Sequence, residues 1–182
     1  PEMFGGEYEC SYNFSHPLEN PGFHLMSFYS LDDENPHIEN VLSSLENATS
    51  IIGEGVSGIY LPPWVGSLNQ IERERGYWLY LSDPDTYEFN NGIANRTDMS
   101  YQLHVGANLI SYSGPVSTSV EGALPEGTSC YSIIGEGQAA TYNSGLGAWV
   151  GNLVQFEPWG GYWMICNDAE EFAFQGNGPL PR

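Results

Sequence analysis

The chain has 182 residues, of which 41% are hydrophobic and 14% aromatic. This is enough apolar surface for one medium domain or two small ones, and it argues against a disordered chain. There are 23 acidic residues against four Arg and no Lys, and the formal charge of −19 disfavours nucleic acid and anionic membranes as partners. No apolar run reaches the length of about 18 residues that a membrane helix needs, so membrane insertion is not expected.

Residues 1–21 precede the repeated part of the sequence and are interpreted as an N-terminal extension. Three aromatic residues, Tyr8, Tyr12 and Phe14, are interspersed here with polar ones. The pattern is typical of a strand that can add to the sheet of a neighbouring chain, so these residues are predicted to serve self-assembly. The chain begins at Pro1 rather than Met, which favours a mature secreted product without its targeting segment.

Residues 22–90 are predicted to form a first repeat of short strands and one short helix. Asn35 is the expected helix cap and Pro36 the first helical residue, and apolar residues then follow at helical spacing. The next strand ends at Gly53-Glu54-Gly55, where the glycines permit a tight reversal. A Trp-containing loop and a strand that begins Gly76-Tyr77-Trp78 complete the unit.

Residues 91–100 are predicted to be a polar linker, residues 101–175 a second repeat, and residues 176–182 a C-terminal tail. In the second repeat Ser117 or Thr118 is the expected helix cap. The repeats are recognised by matching blocks at offsets of 82 to 85 residues: 22–28 with 106–112, 50–55 with 132–137, 64–68 with 149–153, 76–78 with 161–163, and the closing aromatic residues Tyr87 and Phe89 with Phe172 and Phe174.

This organisation predicts a mainly β protein with short helices, in the α+β class. It consists of two tandem homologous small domains with a sheet or barrel-like architecture.

The three cysteines are Cys10, Cys130 and Cys166, and their spacing fits no zinc motif. Cys130 and Cys166 both fall in predicted strands of the second repeat, which indicates a disulfide within that repeat. Cys10 is then left free or paired between chains.

Two short acidic clusters offer oxygen ligands of the kind that calcium prefers: Asp32 and Asp33 in one, Asp83 and Asp85 in the other. Neither has EF-hand spacing, and solvated acidic turns are the alternative interpretation. No cofactor is expected, and calcium is the one metal ion for which these clusters are candidate ligands.

Trp64, Trp149 and Trp159 lie in Gly- and Pro-rich segments and are candidate ligand contacts, because aromatic faces stack on sugar rings. The alternative for the repeated Trp64 and Trp149 is a place in the core of each repeat. Trp159 has no counterpart in the first repeat and lies beside Gly160-Gly161, so it is the stronger candidate for an exposed contact.

Glu54 and Glu136 occupy equivalent positions, and paired carboxylates are the groups that glycoside hydrolases use. Residues related by duplication, however, usually lie one per domain rather than across one substrate. No catalytic residue is therefore predicted.

The pattern Gly-x-Asn108-Leu109-Ile110-Ser111, followed by a Trp loop and Glu157-Pro158-x-Gly-Gly161-Tyr162-Trp163, resembles the "GWNLIS … PGKGYWI" domains of bacterial and archaeal secreted and surface proteins. The "IIGEG … W-x-G-x-L" blocks are similar to modules of marine bacterial and phage-associated extracellular proteins. The resemblance covers residues 22–174. It implies an extracellular, cell-surface or virion-surface location and a modular role, and it implies no catalytic residues.

The leading hypothesis is a non-enzymatic extracellular structural or adhesive protein, a subunit of a surface assembly, filament or virion appendage whose main partner is itself. The first alternative is a carbohydrate-binding module that uses the loop Trp residues. The second alternative, a glycoside hydrolase, has the least support.

Overall fold

A computed structural model describes residues 11–28, 30–32, 34–94 and 99–175 of the chain, with the backbone alone described for 11–14, 30 and 89–94. The elements of the first repeat are β1 (Ser11–Leu18), β2 (Gly22–Ser27), β3 (Ser30–Leu31), α1 (Ile38–Val41), β4 (Ala48–Gly53), β5 (Val56–Tyr60), β6 (Trp64–Gly66), β7 (Gly76–Leu81) and β8 (Asp85–Ala94).

The second repeat contains a matching set of elements. They are β9 (Tyr101–Leu103), β10 (Gly106–Ser111), β11 (Thr118–Ser119), α2 (Val120–Ala123), β12 (Cys130–Gly135), β13 (Gln138–Asn143), β14 (Ala148–Gly151), β15 (Gln155–Phe156), β16 (Gly161–Cys166) and β17 (Glu170–Phe172).

Each repeat is built around one five-stranded antiparallel sheet, and the strand order is the same in both. The order is β2-β7-β4-β5-β6 in the first repeat and β10-β16-β12-β13-β14 in the second. Equivalent strands pair in equivalent registers, for example Ile52 opposite Trp78 and Ile134 opposite Trp163. The predicted fold class, mainly β with short helices and two homologous β units, is confirmed.

β1 pairs with β8 in the same way that β9 pairs with β17. Leu18 lies opposite Asp85, and Leu103 lies opposite Glu170. The segment interpreted as an extension therefore contributes a strand to the first repeat. Tyr12 and Phe14 are in this strand, opposite Gly92 and Phe89 of the same chain, whereas Tyr8 lies outside the described residues.

Both helices have four residues, and no helix in the described part of the chain is long and apolar enough to cross a membrane. Their caps differ from the sequence prediction. His37, not Asn35, accepts from the Glu39 amide at 3.3 Å, and Ser119 accepts from the Gly122 amide at 3.1 Å. The Ser117 hydroxyl instead donates to the Glu157 carboxylate, so it contacts the loop before β16 and does not cap the helix.

Each repeat has a hydrophobic core of its own on one face of its sheet, because alternate residues of each strand point to that face. In the first repeat Phe28 contacts Tyr77 and Tyr87, with ring centroids 5.8 and 5.3 Å apart. In the second, Phe156 packs against Tyr112 and Phe174, with centroids 5.4 and 5.0 Å apart. The two cores share no residue.

A disulfide joins Cys130 of β12 to Cys166 of β16, the pair that the sequence indicates. The two residues lie opposite each other in the sheet. Ala48 and Leu81 occupy the corresponding positions of the first repeat, so the cross-link is specific to the second. Cys10 lies outside the described residues.

Candidate functional site

Two clefts in equivalent positions, one in each repeat, have a tyrosine and a tryptophan on one wall. The first cleft, of about 560 Å³, contains Tyr60 and Trp64. The second, of about 440 Å³, contains Tyr142 and Trp149. We call them the first and second Tyr–Trp clefts. Their repetition shows that the wall belongs to the conserved plan of the repeat and not to an accident of one loop.

The register of the edge strands creates the aromatic wall. Tyr60 of β5 lies opposite Trp64 of β6, and Tyr142 of β13 lies opposite Trp149 of β14. The ring centroids are 5.3 Å apart in the first pair and 5.7 Å in the second. Side chains opposite each other on antiparallel strands point to the same face, so each pair forms one aromatic surface.

A glycine two residues after each Trp keeps these edge strands close together. Gly66 and Gly151 have φ angles of 152° and 156°. A Cβ atom there would lie 2.2 Å from the Ser57 carbonyl oxygen and 2.0 Å from that of Ala139. The repeated Trp-Val-Gly sequence is therefore a steric requirement of the strand pair that carries the Trp.

The opposite wall comes from the short helix and the segment that follows it. Leu42 and Leu124, which are almost fully buried, lie at equivalent places in the two clefts. Glutamates border each cleft: Glu39 and Glu46 in the first, Glu121 and Glu126 in the second. All four are exposed, and within the described part of the chain their carboxylates form no hydrogen bond or ion pair.

Trp64 and Trp149 occupy the core positions that the sequence offers as one interpretation, and they also lie at the two clefts. Each is half-buried against the core of its own repeat, and each also lines a cleft. The tyrosines are more accessible, with 43% of Tyr60 and 44% of Tyr142 exposed. In each pair the Trp therefore packs the aromatic wall against the core, and the Tyr is the part of the wall that is accessible to solvent.

Trp159 lies at the contact between the repeats instead. Its φ is 74°, its carbonyl accepts a 2.7 Å hydrogen bond from the Ser27 amide of β2, and its ring stacks on His16 with centroids 6.3 Å apart. It is half-buried there. The residue singled out as the best exposed contact is thus engaged within the chain.

Glu54 and Glu136 hold the two repeats together reciprocally. The Glu54 carboxylate accepts a 2.9 Å hydrogen bond from the Leu109 amide of β10, and the Glu136 carboxylate accepts one of 2.8 Å from the Leu25 amide of β2. Each residue lies in the turn after the Ile-Ile strand of one repeat and reaches the first sheet strand of the other. Their role in the fold is therefore to join the repeats.

The same contact uses the other repeated blocks. The buried Ser27 and Ser111 donate from their hydroxyls to the carbonyls of Gly160 and Arg73 at 3.0 and 2.6 Å. Gly76 and Gly161 lie against each other, since a Cβ on Gly76 would be 3.2 Å from the Gly161 Cα. The Gly of the Gly-Tyr-Trp block thus lies where the two sheets come too close together for a side chain.

The Tyr of that block has a structural role as well. The Tyr77 hydroxyl accepts from the Glu72 amide at 2.9 Å, and the Tyr162 hydroxyl accepts from the Glu157 amide at 2.7 Å. Burial raises the pKa of each tyrosine to about 12. Both remain neutral phenols that fix the loop before the strand.

Glu54 also carries a charge cluster that Glu136 lacks. His104 Nε2 lies 2.5 Å from Glu54 Oε1, and Arg75 lies 3.4 Å from Oε2. Burial works against ionisation of Glu54, but the hydrogen bonds from His104 and the Leu109 amide prevail and lower its pKa. The hydrogen bond to Glu54 raises the pKa of His104. The cluster favours an ionised Glu54 and a protonated His104.

The predicted calcium ligands are not assembled into a described site. Asp85 accepts from the amides of Asn47, which precedes β4, and of Thr86 in β8, and Asp32 accepts from the Glu34 amide. Asp83 is exposed, and Asp33 lies outside the described residues. The Asp85 carboxylate therefore has a structural role, as does the equivalent Glu170, which accepts from the Ser129 amide.

Glu170 lies close to Cys130 and Cys166, and the three side chains resemble a metal-ligand set in composition. Both sulfurs belong to the disulfide. They cannot supply the thiolates that bind metals, so this group does not fit a metal ion.

Sequence reasoning missed the tyrosines and glutamates of the clefts. Tyr60 and Tyr142 are 82 residues apart, as are Glu39 and Glu121, which is the same offset as between the two Ile-Ile strands. A residue-by-residue alignment of the repeats would have paired them. Their shared orientation toward a cleft depends on strand register and helix placement.

Comparisons of the chain with protein-family models, with curated proteins and with solved structures found no match.

Proposed function

We propose that the chain is a non-enzymatic extracellular adhesive protein that binds carbohydrate through its two Tyr–Trp clefts. The observation that carries the proposal is the repetition of the cleft with its aromatic pair, its Leu and its carboxylates, which have no partner among the described residues. Core residues are also repeated, but a core does not require a half-exposed Tyr in contact with a Trp.

The clefts have the chemistry of a sugar site. A pyranose ring has an apolar face of C–H groups that stacks on an aromatic surface, and its hydroxyls need polar partners at the rim. Tyr60 and Trp64 supply the first feature, and Glu39 and Glu46 supply the second. Tyr142, Trp149, Glu121 and Glu126 do so in the second cleft.

Two sites on one chain suit adhesion to a surface that displays many copies of a glycan. When one cleft is occupied, binding of the second becomes intramolecular, and the overall affinity rises by about 10²–10⁴-fold where the geometry allows both. The Cys130–Cys166 disulfide supports an oxidising location such as the extracellular space.

The hydrolase alternative receives no support from the contacts of its two candidate residues. Glu54 and Glu136 are each occupied by a backbone amide of the other repeat. They also line different cavities. Glu54 lines a cavity that also contains Arg75, and Glu136 lines another that contains Gln138. A glycosidase needs both carboxyl groups beside one bond.

A glycan array with the full chain, followed by titration calorimetry on the best ligand, tests the proposal. Tyr60→Ala and Tyr142→Ala together should weaken binding about tenfold or more, because the stacking surface is lost. Tyr131→Ala removes a Tyr that is 41% exposed outside the clefts and is the matched control. Absence of any glycan ligand, or equal loss in the control, would refute the proposal.

Each single variant tests bivalency. Tyr142→Ala should leave one functional cleft, so the stoichiometry for a soluble oligosaccharide falls from two to one. Retention on a glycan-coated surface should fall much more steeply, by about 100-fold. Equal losses in the two assays would contradict adhesion through paired sites.

Self-association is a second candidate, favoured by an exposed apolar sheet face. The face of the first sheet away from the core exposes Phe23, Ile52, Ile59 and Val65. Leu25 and Leu109, on the corresponding faces of the two sheets, are already buried at the contact between the repeats. A second copy of the chain is the partner that continues this interface.

Sedimentation velocity of Ile59→Asp against Ser144→Asp, which places the same charge at an exposed position in the loop between β13 and β14, tests self-association. An oligomer lost only in Ile59→Asp supports it, and a wild-type monomer at all concentrations excludes it.

A further inference from the structure

The described residues that line the two Tyr–Trp clefts bring negative charge and no positive charge. Each cleft has two glutamates at its border, and the lining residues include no Arg or His. Glu39 and Glu121 occupy the second position of their helices, 82 residues apart, whereas Glu46 and Glu126 come from loops of different sequence. The second repeat thus has two carboxylates at the cleft although its loop has diverged.

These carboxylates differ from the acidic groups that hold the fold. Glu54, Glu136, Asp85 and Glu170 all accept hydrogen bonds from backbone amides. The four glutamates of the clefts accept none from the described residues. Their hydrogen-bonding capacity is available to a ligand.

An anionic sugar is a poor fit to such a cleft, because its carboxylate or sulfate would lie beside two negative charges. A protonated amine is a good fit: it donates charge-assisted hydrogen bonds to a carboxylate and is attracted to the face of a Tyr or Trp ring. The formal charge of −19 also raises the local concentration of cations around the protein.

From these observations, and resting on the proposed carbohydrate binding, we infer that the Tyr–Trp clefts are specific for amine-bearing saccharides such as oligomers of glucosamine. The ring stacks on Tyr60 or Tyr142, and the ammonium group binds a glutamate of the opposite wall. N-acetylation of the amine removes its charge and with it the contact to the carboxylate.

The test is titration calorimetry of the full chain with three soluble ligands: a glucosamine trimer, an N-acetylglucosamine trimer and a galacturonate trimer. At a pH where the amine is protonated, the glucosamine trimer should bind about tenfold more tightly than the acetylated one, and the galacturonate trimer should not bind. The preference should shrink when the ionic strength rises from about 50 mM to about 500 mM.

The decisive variant is Glu39→Gln with Glu121→Gln, which keeps side-chain size and removes one charge per cleft. Its preference for the glucosamine trimer over the N-acetylglucosamine trimer should fall well below tenfold, because only Glu46 or Glu126 then remains in each cleft to bind the ammonium group. Glu19→Gln with Glu34→Gln removes the same charge at exposed positions away from the clefts and should keep the tenfold preference. Loss of preference in both pairs would mean that only the net charge matters and would overturn the inference.

The outcomes separate the two proposals. Equal binding of the charged and acetylated trimers by the native chain refutes the amine specificity and leaves carbohydrate binding intact. Binding of none of the saccharides refutes both. A trilysine peptide is the fourth ligand, because it offers amines without a sugar ring. If it binds as tightly as the glucosamine trimer, the clefts recognise cations in general and the saccharide class is wrong.

Discussion

Replacement of Glu54 by Ala should destabilise the contact between the repeats more than any other single carboxylate change in the chain. The mutation removes the acceptor of the Leu109 amide, at 2.9 Å, and Leu109 is fully buried. It also removes the partner of His104 and Arg75. Unlike Glu136, which is exposed, Glu54 has a side chain that is only 21% exposed.

The magnitude follows from these contacts. A hydrogen bond to a charged acceptor contributes about 1.5–3 kcal/mol, and the exposed pairs with His104 and Arg75 add about 0.2–1 kcal/mol each at most. We expect the free energy of unfolding to fall by about 2–3 kcal/mol for Glu54→Ala and by about 1.5 kcal/mol for Glu136→Ala. Glu54→Gln keeps an acceptor oxygen and should cost about 1 kcal/mol.

Urea denaturation followed by tryptophan fluorescence and circular dichroism measures the difference. Glu126→Ala is the control, because it removes a carboxylate without a partner among the described residues and should change stability by less than about 0.5 kcal/mol. If Glu54→Ala and Glu126→Ala unfold at the same urea concentration, the carboxylate does not couple the repeats and the reasoning is wrong.

Three further outcomes are expected. Because its pKa is raised in the fold, His104 stabilises the contact below the unfolded value of 6.5, and this is lost as the pH rises through the folded pKa. The melting temperature should therefore drop between about pH 6 and about pH 8, and the drop should be smaller in His104→Gln. Reduction of the disulfide, whose cysteines are 36 positions apart, should destabilise the second repeat by about 4 kcal/mol. Chemical denaturation with and without reductant measures this loss of stability. The double variant Cys130→Ala, Cys166→Val has no disulfide, so its stability should be the same in both conditions. Gly161→Ala places a Cβ 2.8 Å from the Met26 carbonyl oxygen, so it should separate the repeats and lower the melting temperature, whereas Gly145→Ala, in the loop between β13 and β14, should not.

The sequence blocks that are most similar between the two repeats have structural roles. Three repeated residues contact the other repeat: the Glu of the Gly-Glu-Gly turn, the Gly of the Gly-Tyr-Trp block and the Ser of the first sheet strand. Residues that resemble a catalytic pair in the sequence are thus explained by the way that two copies of one domain pack against each other. This reciprocity also suggests that the surface is self-complementary, as in a symmetric dimer of single repeats.

Much of the fold could be predicted because it depends on local patterns. Two matching sets of sequence blocks predicted two homologous units, and the apolar runs that begin Gly76-Tyr77-Trp78 and Gly161-Tyr162-Trp163 were correctly predicted as strands. The helix caps were misplaced by one or two residues. Several polar side chains lie near each helix start, and tertiary contacts such as that of Ser117 with Glu157 decide which one is used.

The candidate site was only partly predictable. Trp64 and Trp149 could be named as candidate ligand contacts from their Gly- and Pro-rich surroundings, although their repetition favours a place in the core. Tyr60 and Tyr142 join them only through the pairing of edge strands. Trp159 was a reasonable candidate from its glycine-rich surroundings. Its engagement with His16 and Ser27 depends on the packing of one repeat against the other, which a local pattern does not encode.

By itself, the sequence determined the duplication, the β-rich class and the acidic character, because repeated blocks, hydrophobic periodicity and turn chemistry are readable over a few residues. Only the tertiary structure decided which carboxylates support the fold and which have no partner among the described residues. It also decided that Glu54 and Glu136 form hydrogen bonds between the repeats, and that a Tyr, a Trp and two Glu line one cleft in each repeat. Those relations join residues far apart in the chain, and only the packing of whole sheets brings them together.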